Sequence, residues 1–193
     1  MTSRNRPIGY EDATAEQMLP DVRRRINQAV KANAWPLYLY GPVGSGKTCA
    51  AAVLFGATRR LPLWFRADDL LLGMAFGRSN GVRVEQMTLL GHREFKTLAW
   101  DRFAAQVADS SCVYLDDLGI RKPTESMQQG LFDLMEWRRG KPLVITSNKS
   151  PEVIGAIYDD RILSRLSAGT VLEIVGPDRR EGTGYRVQAT TGV

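Results

Sequence analysis

Residues 41–48, with the sequence GPVGSGKT, match the phosphate-binding pattern G-x-x-x-x-G-K-[ST] at every defined position. An apolar run at 37–40 precedes them and a helical run begins at Thr48, so the strand and helix that the pattern requires are both predicted. In such a loop, backbone N–H groups face phosphate oxygens, Lys47 neutralises the β- and γ-phosphates, and the Thr48 hydroxyl ligates Mg²⁺. The stretch therefore predicts a nucleotide site, with a glycine-rich turn and a surface lysine as the alternative.

Two aspartates, Asp116 and Asp117, directly follow the apolar run 112–115, which is typical of a strand. At a strand tip, Asp116 would complete the Mg²⁺ shell that Thr48 begins, and Asp117 would orient the attacking water. A turn or helix-capping pair is the alternative. Many chains with this layout carry glutamate at the second position, and aspartate is one methylene shorter. We therefore expect hydrolysis to be weak or to depend on a partner.

Asn148 and two arginines complete the set of candidate residues. Asn148 follows an apolar run at 142–145, where its amide would bond the γ-phosphate or the lytic water; an ordinary turn asparagine is the alternative. Arg161 and Arg165 lie four positions apart, on one face of a predicted helix. Because they are far in sequence from the phosphate loop, they suit an arginine finger that reaches a neighbouring subunit's γ-phosphate. Solvated surface arginines are the alternative.

The framework predicted to position these residues is a parallel sheet. Five apolar runs alternate with helical segments, at 37–40, 61–65, 112–115, 142–145 and 170–175. This alternation favours an α/β fold in which a five-stranded parallel sheet has helices on both faces. Such sheets bind ligands beyond the carboxyl ends of their strands. Because Gly41, Asp116 and Asn148 each lie just past such an end, we expect them to share one edge.

The segment between the second and third strands is predicted to be helical. Asp68 and Asp69 suit the first turn of a short helix, and glycines at 73, 77 and 81 indicate a loose region after it. Apolar residues one turn apart predict a second helix over 84–107.

The composition is that of one soluble domain. The 193 residues are 44% hydrophobic and 24% charged, and no run approaches the roughly 18 apolar residues that span a bilayer. The N-terminus lacks the apolar core of a signal peptide, so we expect a cytoplasmic protein without a membrane partner. Cys49 and Cys112 are expected to be reduced, buried packing residues. The net charge of +5 suits a polyanionic partner.

The order of these motifs resembles the AAA+ ATPase core of the DnaC/IstB group, which contains helicase loaders and the ATPase helpers of some transposons. The resemblance spans roughly residues 8–175 and is carried by residues 41–48, 113–119, 145–148 and 161–166. It implies a P-loop NTPase with an AAA+ core at 1–176, including a short N-terminal extension, and no C-terminal lid domain. A polar tail would follow at 177–193.

The resemblance also implies roles for individual residues, with ATP and Mg²⁺ as cofactors. The implied catalytic residues are Lys47, Asp117, Asn148 as sensor 1, and Arg165 as a finger acting in trans. The implied metal ligands are Thr48 and Asp116. The implied nucleotide-binding residues are Ile8 and Tyr10, near the adenine, and Gly41, Pro42, Val43, Gly44, Ser45, Gly46, Lys47 and Thr48.

The function implied is that of a DNA replication helicase loader that forms homo-oligomers through ATP at subunit interfaces. Its partners would be a replicative helicase and single-stranded DNA. Within 67–108, the candidate phosphate contacts are Arg78, Arg83, Arg93 and Lys96, and the candidate stacking residues are Phe95 and Trp100. A solvated amphipathic helix explains these residues as well. The other functions considered are an IstB-like transposition helper, a P-loop small-molecule kinase, and a scaffold that binds ATP without hydrolysing it.

Overall fold

The computed structural model describes residues 9–58, 62–87 and 93–176. Ile8 and the tail at 177–193 lie outside the described residues. The strands are β1 (Leu37–Tyr40), β2 (Leu63–Arg66), β3 (Val82–Met87), β4 (Arg93–Leu98), β5 (Val113–Leu118), β6 (Leu143–Ser147) and β7 (Thr170–Glu173). The α-helices are α1 (Pro20–Lys31), α2 (Lys47–Ala57), α3 (Ala67–Asn80), α4 (Trp100–Asp109), α5 (Glu125–Trp137), α6 (Pro151–Ile157) and α7 (Asp160–Ser167).

Five of the strands form the predicted parallel sheet. Their order is β2-β5-β6-β1-β7, and each neighbouring pair is parallel. Strand β6, which ends just before Asn148, lies between β1 and β5. Strand β1 leads into the phosphate loop, and β5 carries the two aspartates. The fold class predicted from the sequence is confirmed.

Alternate side chains of each strand enter different cores, because successive residues of a strand point to opposite faces. Leu37 and Leu39 of β1 pack with buried residues of α1 and α2, such as Ile26 and Phe55. Tyr38 enters the other core, which is built from α3, α4, α5, α6, α7 and the β3–β4 hairpin. Since both faces are covered, the strands read as continuous apolar runs.

The prediction of a helix over 84–107 is wrong. Strands β3 and β4 form an antiparallel hairpin in this region, and the helix that follows, α4, begins only at Trp100. The sequence around Val82 and Val84 alternates instead with period two: both valines are buried, whereas Arg83 between them is exposed. Alternation of this kind favours a strand with one buried face.

Helix α3 is longer than the sequence predicted. It continues through Gly73 and Gly77 to Asn80, so these glycines do not loosen the segment. A Cβ on Gly77 would lie 2.5 Å from Cγ2 of Val82, which shows that the glycine allows the hairpin to pack closely on the helix. None of the helices in the described ranges is both long enough and apolar enough to cross a bilayer.

Candidate nucleotide-binding site

The phosphate loop lies where β1 meets α2, which begins at Lys47. The loop turns through glycines with positive φ, +78° at Gly44 and +97° at Gly46. Gly41 has φ +149°, and a Cβ there would lie only 2.2 Å from the carbonyl oxygen of Ile174. A side chain is therefore excluded where the loop leaves the sheet, which is a physical reason for the first glycine of the pattern.

A cavity of about 210 Å³ opens over this loop. It is lined by Tyr10, Val43, Gly44, Gly46, Lys47, Thr48, Cys49, Asp117 and Asn148. The fold thus brings most of the predicted site residues to one edge, from four separate parts of the sequence. A larger groove of about 550 Å³ runs beside α1 and contains none of them among its lining residues. Cys49 is half-buried at the cavity, whereas the sequence assigned it only to packing.

The ammonium group of Lys47 is held inside the loop. The side chain is 5% exposed. Its Nζ donates to the carbonyl oxygen of Pro42 at 2.6 Å and lies 3.5 Å from Oγ of Ser45. A buried cation surrounded by the loop is placed to neutralise phosphate oxygens that the loop would bind.

Thr48 and Asp116 are in direct contact beneath the loop. Thr48 Oγ1 donates to Asp116 Oδ1 at 3.1 Å, and the same carboxylate oxygen accepts a bond from Thr146 Oγ1 at 2.5 Å. Burial raises the pKa of Asp116, while the bonds from Thr146 and Thr48 act in the opposite direction. Hydroxyl and carboxylate oxygens are hard ligands that suit Mg²⁺.

The donor set fits a magnesium ion that is shared with a nucleotide. Among the residues described, no three His, Cys, Asp or Glu side chains are grouped to form a metal site. Mg²⁺ commonly binds through one or two carboxylates together with substrate phosphates, and does not need a protein cage. One carboxylate beside one hydroxyl, under a phosphate loop, matches that pattern.

Asp117 differs from Asp116 in its backbone conformation and in its surroundings. Its backbone is left-handed, with φ +61°, and its N–H donates to Oγ1 of Thr146 at 2.9 Å. The pairing of β5 with β6 is regular up to Leu115 and resumes only at Leu118, so the two aspartates lie at an irregularity. One carboxylate is therefore buried in a hydrogen-bond network, and the other lines the cavity.

Asn148 is exposed and follows β6 at the cavity. Two buried hydroxyls fix the backbone around it. Ser147 Oγ donates to the carbonyl oxygen of Leu118 at 2.7 Å and accepts the N–H of Lys149 at 3.0 Å. Tyr38 Oη donates to the carbonyl oxygen of Lys149 at 2.7 Å. These contacts hold Asn148 at a defined position beside the loop.

Arg165 does not line the cavity described above. Its Nε donates to Oε1 of Glu136 on α5 at 2.7 Å, and its guanidinium lies 4.1 Å from the ring centre of Phe132. Arg161 lies 4.7 Å from the same ring centre and pairs with Asp159. Sequence reasoning missed Glu136 and Phe132, because nothing in their local pattern marks them as partners of residues 29 and more positions away.

Two of the candidate DNA contacts are engaged within the chain. Arg78 pairs with Asp133 at 2.5 Å and lies 5.1 Å from the ring centre of Trp100. The Trp100 ring also contacts Phe103 and Trp137. These contacts give Arg78 and Trp100 packing roles. Two other candidates, Arg83 and Lys96, are exposed on the hairpin.

Known proteins resemble this chain in sequence or in fold. No family model matches the chain. A protein named as an ATP-binding protein of an insertion sequence in Mycobacterium tuberculosis is 25% identical over 188 residues, which cover 94% of this chain and 68% of that protein. The solved structure of the DnaC helicase loader superposes with a TM-score of 0.67 at 15% identity, covering 88% of this chain and 100% of that one. The chain is therefore similar to DnaC/IstB-type AAA+ proteins in sequence and in fold.

Replication initiators share the fold of this chain. DnaA bound to AMPPCP and single-stranded DNA superposes with a TM-score of 0.67 at 20% identity, over 86% of this chain and 50% of that one. DnaA of Burkholderia cenocepacia is 27% identical over 145 residues, which are 74% of this chain. The chain spans only 25% of the length of that DnaA. The recognition made from the motifs is confirmed.

Proposed function

We propose that this chain binds ATP with Mg²⁺ at the edge of the sheet, hydrolyses it slowly, and acts as a helicase loader in DNA replication. The observation that carries the proposal is the contact of Thr48 with Asp116 beneath the phosphate loop. Asp117 and Asn148 lie on the same cavity. The names of the similar proteins, which include an ATP-binding protein and a helicase loader, support the same reading.

Each side chain at the site has a distinct part in binding and hydrolysis. Lys47 neutralises the β- and γ-phosphates, Thr48 and Asp116 supply oxygen ligands, and Tyr10 contacts the base. A bound Mg²⁺ would neutralise charge that develops on the phosphates. Asp117 orients the water, and Asn148 donates its amide to the γ-phosphate or to that water. Turnover is slow because the aspartate at position 117 is one methylene shorter than a glutamate would be.

Oligomerisation would supply the remaining charge. Arg165 is 28% exposed and lies away from its own nucleotide cavity, held by Glu136. In an assembly it leaves Glu136 for the γ-phosphate of the neighbouring copy. ATP then favours the assembled state, because it makes an additional contact only there. Hydrolysis removes that contact and releases the copies.

The partner proposed is a replicative helicase, with single-stranded DNA as a second ligand at Arg83 and Lys96 on the hairpin. The second candidate function is a transposition helper that acts with a transposase. One observation favours it: the relative of 25% identity is named as part of an insertion sequence.

Affinity capture from the native cell, with ATP present, tests this proposal. The bait is the Asp117→Asn chain, which should bind ATP but not turn it over, and the matched control is Lys47→Ala, which should not hold ATP. We expect a replicative helicase with the first bait and not with the second. Capture of a transposase would instead support the second function. Capture of neither would contradict both.

A further inference from the structure

The hydroxyl of Thr146 lies between the two aspartates of the candidate site. Thr146 belongs to the central strand β6 and is 1% exposed. It donates to Asp116 Oδ1 at 2.5 Å and accepts the backbone N–H of Asp117 at 2.9 Å. A threonine hydroxyl has one hydrogen to donate and two lone pairs to accept with, so a single group can make both bonds.

This hydroxyl replaces a backbone bond that the sheet does not make. The β5–β6 pairing is interrupted between Leu115 and Leu118, which is where the two aspartates lie. An N–H that leaves the sheet ladder needs another acceptor, and Thr146 satisfies the part-buried N–H of Asp117. It thereby stabilises the left-handed backbone that separates the directions of the two carboxylates. A left-handed backbone is disfavoured for residues other than glycine, so Asp117 needs such support to keep φ at +61°.

We propose that Thr146 is the positioning residue for both aspartates. Its donated bond orients the Asp116 carboxylate toward Thr48, and its accepted bond holds Asp117 at the angle at which that side chain faces the cavity. The proposal rests on the proposed function, in which these aspartates serve Mg²⁺ and the attacking water. Thr146 also lies two positions before Asn148, so one strand sets the positions of all three groups.

Replacing Thr146 with valine tests the proposal, since valine keeps the shape and removes the hydroxyl. The bond it loses is made to a charged group, and such bonds are worth about 1.5–3 kcal/mol. We therefore expect kcat to fall about tenfold or more, and the Mg²⁺ concentration for half-maximal turnover to rise several-fold. ATP binding measured with EDTA should remain near that of the parent. Thr146→Ser keeps the hydroxyl and should restore turnover.

The matched control is Thr58→Val. Thr58 Oγ1 donates to the carbonyl oxygen of Leu54 at 2.9 Å and lies 3.0 Å from Tyr114 Oη, beyond the far end of α2. This control removes a comparable hydroxyl without touching the aspartates, so kcat and Mg²⁺ dependence should stay at the parent's values. A Thr146→Val chain that matched this control in both quantities would overturn the proposal.

Amide hydrogen exchange gives a readout that does not depend on turnover. The Asp117 amide of the parent should be protected, and the same amide should exchange faster in Thr146→Val and remain protected in Thr146→Ser. An unprotected Asp117 amide in the folded parent would overturn the inference even if the valine variant did not fold. A protected amide in a parent that does not bind ATP with Mg²⁺ would support the positioning and contradict only the proposed function.

Discussion

Thr48 on α2 donates its hydroxyl to Asp116 on β5 at 3.1 Å, although 68 positions separate the two residues in the chain. The fold thus joins the phosphate loop to the acidic strand through the same two oxygens that the motifs assign to Mg²⁺. Contacts between distant parts of the chain lead to four predictions. Two concern Asp117 and Arg165, at the nucleotide site and its proposed interface, and two concern Asp68 and Arg138, in the surrounding fold.

A glutamate at position 117 should raise turnover. Asp117 lines the cavity but is one methylene shorter than the residue expected for orienting water. General-base contributions are typically 100-fold or more, so Asp117→Glu should increase steady-state ATP hydrolysis several-fold, while Asp117→Asn should lower it. Equal rates for Asp117→Glu and the parent in a phosphate-release assay would contradict a role for this side chain in orienting water.

Arg165 should act on the nucleotide of another copy. Arg165→Ala and Lys47→Ala chains should each be inactive alone, since one lacks the finger and the other lacks the phosphate-binding lysine. A mixture of the two should regain turnover, because an intact loop on one copy then meets an intact arginine on the next. A mixture as inactive as its components would refute action in trans.

The neighbouring Arg161 provides the control for that experiment. It also lies over Phe132 but pairs with Asp159 and not with Glu136. Arg161→Ala should therefore retain more turnover than Arg165→Ala. If the two single variants were equally inactive, the assignment of the finger to Arg165 alone would be wrong.

Asp68 should lower stability at neutral pH. Burial raises the pKa of its carboxyl above the ordinary 3.8, with the charge of Arg121 opposing the shift, and its Oδ1 is buried without a hydrogen-bond partner. A carboxyl whose pKa is higher in the folded state destabilises the fold increasingly as the pH rises above the unfolded pKa, and the penalty is complete above the folded pKa. The penalty disappears below the unfolded pKa. Asp68→Asn should therefore melt at a higher temperature than the parent at pH 7.5, and the difference should shrink as the pH falls and vanish well below 3.8.

Asp69 is the matched control for Asp68. Both lie in the first turn of α3, where a negative charge favours the helix, but Asp69 is exposed. Asp69→Asn should lower or leave unchanged the melting temperature at pH 7.5. A stabilisation by Asp69→Asn as large as that by Asp68→Asn would show that burial is not the cause.

Arg138 should be essential for stability although it lies far from the nucleotide cavity. It is 2% exposed, and it donates to four carbonyl oxygens: those of Val107, Ala108 and Ser110 at 3.0, 3.2 and 2.8 Å, and that of Pro142 at 2.7 Å. Arg138→Met would remove all four of these hydrogen bonds from the buried side chain. It should lower the free energy of unfolding by about 3–5 kcal/mol in urea titrations.

The neighbouring Arg139 separates this effect from general loss of charge. Its side chain is 81% exposed, so Arg139→Met should change the free energy of unfolding by no more than about 0.5 kcal/mol. Equal effects from the two substitutions would contradict the bonding role of Arg138.

The motifs and the sheet could be predicted because their signals are local. Residues 41–48 act through their own backbone and through the strand and helix that adjoin them. A short stretch of sequence is therefore enough to predict the conformation of the loop. Apolar runs bounded by turns likewise report burial on both faces of a sheet, and Gly41, Asp116 and Asn148 could be assigned to one edge because parallel strands end there together.

The remaining features depend on contacts between distant parts of the chain. The hairpin at β3 and β4 replaced an expected helix because cross-strand pairing and the close approach of Val82 to Gly77 outweighed a helical spacing of apolar residues. The bonds of Thr146 to both aspartates, and of Arg165 to Glu136, join residues 29 or more positions apart. The sequence by itself determined which chemical groups the protein carries and at which edge of the sheet they lie. Only the tertiary structure decided which side chains hold them in place, since hydrogen bonds act over about 3 Å in space, whatever the separation along the chain.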